Sequence, residues 1–141
     1  MLKGISPVIS PELLKILCEM GHGDELVLAD ANFPSESMGQ RVVRADGIPA
    51  SVLLDAILPL FPLDSYDANN FVLMDVVPGD TVVPVIWDEY KSILSRYEPQ
   101  AQVQHMERFA YYERAKKAYC VVATGETAQY ANIILKKGVV K

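Results

Sequence analysis

Histidine and cysteine are scarce in this chain, two of each among 141 residues, and their placement narrows the available chemistry. Cys18 and Cys120 stand far apart on apolar-patterned segments, with no Cys-x-x-Cys spacing and no neighbouring histidine. A zinc knuckle is excluded and a disulfide framework has no basis, so both are expected as buried, reduced thiols. No apolar run approaches the ~18 residues of a spanning helix. The opening "MLKGISPVIS" lacks the apolar core and cleavage site of a signal peptide, so the expected location is cytoplasmic, with no membrane partner. Positive charge is also short: 13 Lys and Arg face 18 Asp and Glu, a net charge of -5. No basic field draws phosphate backbones, and nucleic acid is not an expected partner.

Other absences remove whole reaction classes. The only Gly-x-Gly is "GHG", which follows a helix pattern where a phosphate loop needs a strand, and no Gly-Lys-Ser/Thr occurs. No serine or cysteine sits in a glycine-bracketed elbow beside an activating base. "HGD" offers one nitrogen and one oxygen donor, but no second histidine or acidic cluster completes a ligand set. Neither a metal nor a cofactor is expected.

What is present is apolar material, 50% of the residues, enough for one core and too little chain for two. Residues 1–141 are therefore expected to form a single domain. Ser10 before Pro11 is a helix start, Leu13, Ile16, Leu17 and Met20 make one stripe, and Gly21 suits the helix end. "ELVLA" (25–29) reads as a strand buried on both faces. "ANFPSESMG" reads as an extended loop, "RVVR" (41–44) as a strand, and 51–60 as a helix that Pro59 ends. "FVLMDVV" (71–77) is a strand closed by the turn "PGD", and "VPVIWDEYKSILSRY" an amphipathic helix. "AQVQHM" is a weaker strand, "ERFAYYERAKKA" a short helix, "YCVVAT" (119–124) a strand and "IILKKGVV" a terminal strand. Strands alternating with helices predict a three-layer α/β/α fold around a largely parallel sheet.

In such sheets ligands bind beyond the carboxyl ends of the strands, where Asp30, Arg108 and residues 125–132 are the candidates. The remaining chemistry is acid–base. His22, between two glycines in "EMGHGDELVLAD", can give or take a proton near neutrality, and a carboxylate can orient its ring. It can equally be a helix-end residue whose charge suits the macrodipole. Asp24 reads as a loop residue bonded to a nearby backbone amide.

Four long segments, "SPELLKILCEMGHGDELVLADANFP", "SMGQRVVRADG", "ERFAYYERAKKAY" and "TGETAQYANIILKKGV", resemble the L-fucose mutarotase family, related to the D-ribose pyranases. The likeness spans nearly the whole chain, in order. It implies a cofactor-free isomerase that interconverts the anomers of a free monosaccharide, built as a homodecameric ring with sites at subunit boundaries. By position it implies His22 as the catalytic histidine and Asp30, Arg108, Tyr130, Ala131 and Asn132 as substrate contacts. Asn32 and Ala131 depart from the family pattern, which often has histidine and glycine there. "GHGD" and "DANFP" look like the fucose branch, whereas the ribose relatives look more like "GHTD" and "DAGLP". L-Fucose is the expected substrate, with D-ribose or another monosaccharide, or a non-catalytic sugar-binding role, as alternatives. The mechanism expected of these residues has His22, helped by Asp30, protonating the ring oxygen while a second group, Tyr130 the best candidate, or a bound water takes the anomeric proton.

Overall fold

The Ser10 hydroxyl accepts the Leu13 amide at 3.1 Å and starts α1 (Pro11–Glu19), with Pro11 at a position that has no helical N–H to lose. In the computed structural model, which describes residues 1–141, this helix closes on Met20 in extended backbone rather than on Gly21. The left-handed turn falls two residues later, at Gly23 with φ 88°, where a side chain would be strained. Cys18 lies off the Leu13, Ile16, Leu17 stripe and is exposed, so the expectation of two buried thiols holds only for Cys120. Burial pushes the Cys120 thiol up to about 11.

The strands follow the apolar runs: β1 (Glu25–Ala29), β2 (Val42–Ala45), β3 (Phe71–Met74), β4 (Val103–Met106), β5 (Cys120–Thr124) and β6 (Ile133–Lys136). They form one sheet in the order β2-β5-β1-β6-β3-β4. Five strands run the same way, and β6 alone is antiparallel to its neighbours β1 and β3. The sheet is largely parallel, as the alternation predicts, with one reversed strand inside it.

Alternation along each strand divides the core. Leu26, Leu28, Leu73, Val122 and Ile133 face α1, α3 (Ala50–Ile57) and α4 (Ile86–Tyr97). Val27, Ala29, Val72, Val121 and Ile134 face α5 (Arg108–Lys117) through Tyr111 and Ala115. Each fully buried aliphatic side chain contributes ~1.5–3 kcal/mol, which fixes the strand register against a one-residue slip. Pro59 follows the end of α3, as its missing N–H requires. Several boundaries differ from the sequence reading: β2 begins at Val42, β4 at Val103 and β5 at Cys120, and the terminal strand ends at Lys136. β3 ends at Met74, although the Asp75 N–H still donates to the Met106 carbonyl at 2.8 Å; within "ANFPSESMG" a single helical turn, α2 (Ser35–Met38), forms without a side-chain cap.

Candidate active site

Because five strands share a direction, their carboxyl ends gather on one rim, and the reversal of β6 brings the segment preceding it to the same rim. There a cavity of about 260 Å³ is lined by Asp30 after β1, Met74, Val77 and Asp80 after β3, Arg108 at the start of α5, and Gln129, Tyr130 and Asn132 before β6. Asp30, Arg108, Tyr130 and Asn132 thus meet where sequence reasoning expects them. Ala131 does not line the cavity. It is buried behind the wall, and its carbonyl accepts the Tyr90 hydroxyl at 2.7 Å.

Short polar contacts hold these groups in place. The Asp30 N–H donates to Asn132 Oδ1 at 2.7 Å, which leaves the Asn132 amide nitrogen as the donor for a ligand. Asp30 Oδ1 accepts the Asn32 N–H at 2.9 Å. Burial raises the Asp30 carboxyl above its ordinary value, against the lowering effect of the amide hydrogen bonds. Arg108 Nε donates to Tyr112 Oη at 3.1 Å, and its guanidinium lies over the Tyr112 ring. Glu107 caps α5 by accepting the Phe109 and Ala110 amides, which sets Arg108 at the cavity mouth. Tyr130 adopts a left-handed backbone, φ 58°, the one non-glycine residue that does so. Trp87 Nε1 donates to the Tyr130 carbonyl at 2.8 Å and pins this uncommon conformation.

His22 is not in this cavity. It precedes β1, and a five-residue strand at ~3.3 Å per residue puts roughly 16 Å between its two ends. His22 and Asp30, which the sequence reading couples, therefore stand at opposite ends of β1 in one chain. The histidine has a different carboxylate. His22 Nε2 lies 3.0 Å from Asp64 Oδ1, with the imidazole 47% exposed and the Asp64 side chain 4% exposed. Burial alone would raise Asp64. The hydrogen bonds from His22 and the Tyr66 amide, with the charges of His22 and Lys136, together hold it below its ordinary value. Facing an ionised carboxylate, Nε2 carries the proton, so Nδ1 is the atom free to exchange one with a ligand.

Backbone pairing builds this second group. Gly23 N–H donates to the Lys137 carbonyl and Lys137 N–H to the Asp24 carbonyl, both at 2.8 Å, while Asp64 N–H donates to the Lys136 carbonyl at 3.0 Å. The chain beyond β6 thereby ties the His22 turn and the Asp64 loop together. Asp24 accepts the Gly21 amide at 2.7 Å, the local role read from sequence. Asp64, Asp80 and Trp87 are the participants that sequence reasoning misses. The first two signal themselves only as acids just outside apolar runs, in "PLDSYD" and "PGD", and nothing in the pattern marks Trp87.

Residues 3–140 match the family described as the RbsD / FucU transport protein family. Two solved structures are similar over the full fold. The fucose mutarotase from Streptococcus pneumoniae, solved in complex with L-fucose, is 52% identical with a TM-score of 0.94, covering 99% of this chain and 100% of that one. FucU from Bifidobacterium longum is 55% identical with a TM-score of 0.96, over 99% and 100% of the two chains. Bacillus subtilis RbsD, complexed with D-ribose, is 21% identical with a TM-score of 0.75 over the whole of both chains. That last likeness is one of fold alone.

Proposed function

Since the chain belongs to the RbsD / FucU family, we propose that it is a cofactor-independent mutarotase that interconverts the α and β anomers of L-fucose by general acid–base catalysis. The observation that carries this reading is the convergence of Asp30, Arg108, Tyr130 and Asn132 on one cavity of about 260 Å³. That volume sits at or below the low end of ordinary ligand pockets, roughly 300–1,000 Å³, and suits a single sugar ring. The L-fucose bound to the Streptococcus pneumoniae relative supports the choice of sugar.

Mutarotation opens the hemiacetal, lets the aldehyde face rotate, and recloses it. One proton leaves the anomeric hydroxyl and another arrives at the ring oxygen, so no hydride, metal or covalent intermediate is needed. Arg108 and Asn132 donate to sugar hydroxyls, Asp30 accepts from them, and Tyr130 faces the anomeric hydroxyl. His22, oriented by Asp64, protonates the ring oxygen. Within one chain it is at the other end of β1, so it enters the cavity from a second copy, with sites formed at subunit boundaries of a homodecameric ring in the cytoplasm. The exposed, unpaired thiol of Cys18 suits a reducing compartment.

Saturation transfer between the anomeric protons of L-fucose tests the reading. The wild type accelerates exchange, and His22→Ala loses ~10²–10⁴-fold of that acceleration. A sugar-binding protein without activity gives saturable L-fucose binding and exchange at the rate in water, which refutes the proposal. Faster pyranose–furanose exchange of D-ribose than anomer exchange of L-fucose would reassign the substrate.

A further inference from the structure

One carboxylate that lines the cavity, Asp80, lies outside the set of sugar-contacting groups. Asp80 follows Gly79, φ 90°, in the turn after β3. Its Oδ1 accepts the Val82 amide at 3.0 Å, which fixes the side chain, and its Oδ2 accepts the Tyr130 hydroxyl at 2.6 Å. The Val77 amide donates to the same phenolic oxygen at 3.3 Å. The one hydroxyl proton of Tyr130 is therefore directed away from a ligand. What the phenol presents to a sugar is an acceptor lone pair.

That geometry creates a chemical requirement. A neutral phenol that took the anomeric proton without releasing its own would become a positively charged oxonium, so a second acceptor must stand behind it. We propose that Asp80 is that acceptor and the positioning residue of Tyr130: as the anomeric O–H proton passes to Tyr130 Oη, the Tyr130 proton passes to Asp80 Oδ2. In the same step the bond between the anomeric carbon and the ring oxygen breaks, and its electron pair takes the Nδ1 proton of a His22 imidazolium, which is left neutral with its Nε2 proton still donated to Asp64. Reclosure on either aldehyde face runs both transfers backwards, so Asp80 ends ionised and no co-reactant is consumed. The relay rests on the mutarotase reading and adds to it the group that makes Tyr130 competent.

The 2.6 Å contact aligns the proton for transfer but holds it on Tyr130 at rest, so it moves only as the anomeric proton arrives. The hydrogen bond to Asp80 raises the Tyr130 phenol above its ordinary value, and the bond from Tyr130 lowers Asp80. The other titratable or charged groups sharing the cavity are Arg108 and Tyr112 from α5 and Asp30 from the end of β1. Of these, the Arg108 charge lowers the phenol. Removing the Asp80 charge therefore brings Tyr130 down toward the ordinary ~10.

The test compares wild type, Asp80→Asn and Asp80→Glu in L-fucose anomer exchange across neutral to alkaline pH. L-Fucose affinity and the titration of ¹³C-labelled Tyr130 are followed in parallel. At neutral pH Asp80→Asn is expected to lose ~10²-fold in exchange rate with affinity nearly unchanged, and Asp80→Glu to recover at least a tenth of the wild-type rate. As pH rises toward ~10, the deficit of Asp80→Asn relative to wild type narrows, because tyrosinate accepts the anomeric proton unaided while both proteins depend alike on the His22 acid. Its Tyr130 also titrates at lower pH than in the wild type. A neutral-pH rate equal to wild type, a loss that is the same at every pH, or an unmoved Tyr130 titration overturns the relay. A wild type that leaves L-fucose exchange at the rate in water overturns the mutarotase reading and the relay with it. Active wild type with unimpaired Asp80→Asn overturns the relay alone.

Discussion

Asp64 lies below the ordinary carboxylate range although burial pushes it the other way, because His22 and the Tyr66 amide both bind its ionised form. A carboxyl lowered on folding contributes stability that is complete above the unfolded value, ~3.9, and is lost as pH falls through the lower folded value. Asp64→Asn is expected to cost about 1–3 kcal/mol at neutral pH, since it weakens a buried acceptor of two donors. The cost shrinks below about pH 4, where wild type loses the same contribution. Urea denaturation at neutral and acidic pH checks both limbs. Asp30 has the opposite sign. Burial raises its carboxyl, so ionisation is penalised above the raised value and the penalty is relieved in acid. Asp30→Asn is expected to raise Tm at neutral pH by a few degrees while weakening L-fucose binding, the trade of stability for function found at ligand sites. A variant with unchanged Tm at neutral pH would show that Asp30 carries no such strain.

β6 is the element that positions both the cavity and the His22–Asp64 pair. Its amino end carries Tyr130 and Asn132 to the cavity rim, and the chain beyond its carboxyl end ties Asp64 to the His22 turn. The strand itself was legible in "IILKKGVV", but its direction was not. A strand buried on both faces reads as a continuous apolar run whichever way it points, so the placement of Tyr130 and Asn132 on the rim away from His22 was hidden, whereas the separation of His22 from Asp30 follows from β1 alone. The His22 partner could not be read either. Asp64 is distant in sequence and reaches the imidazole through pairing of residues 62–64 with residues 136–138. By contrast α1, β1 and β5 were legible, because capping residues and burial patterns are local. Gly138 shows how tight the tie is: a Cβ there would meet the Leu63 carbonyl oxygen and lie 2.9 Å from Asp64 Cα. Gly138→Ala is expected to destabilise by about 1–3 kcal/mol and to slow L-fucose exchange, by moving Asp64 off His22. Thermal unfolding and saturation transfer on the same sample test the two effects together. On the other face of the sheet the Tyr111 hydroxyl is buried without a partner. Tyr111→Phe is expected to leave stability unchanged or raise it by about 1 kcal/mol, whereas a loss would reveal a bond to that hydroxyl.

At the scale of the whole molecule, the His22–Asp64 pair and the cavity occupy opposite ends of the sheet, and each end exposes apolar surface. Tyr66, 75% exposed, packs on the His22 ring, and Phe109, 68% exposed, stands beside Arg108. Isolated apolar residues are ordinary on a surface, but here they flank the His22–Asp64 pair and the cavity, the two groups that the proposed mechanism brings together. A head-to-tail contact that sets the His22 end of one copy against the cavity of the next completes a site and covers both groups, and it closes into a ring when the rotation allows. Subunit mixing separates this arrangement from a site held within one chain. His22→Ala and Asp30→Asn are each expected to have little L-fucose exchange activity alone. After dissociation and reassembly as an equal mixture, about a quarter of the sites pair an intact His22 with an intact Asp30, and exchange returns toward that fraction of wild type. A site built within one chain recovers nothing on mixing, because every chain then lacks one essential group. Light scattering on the wild type supplies the companion measurement, since an active monomer would be incompatible with a histidine donated from a second copy.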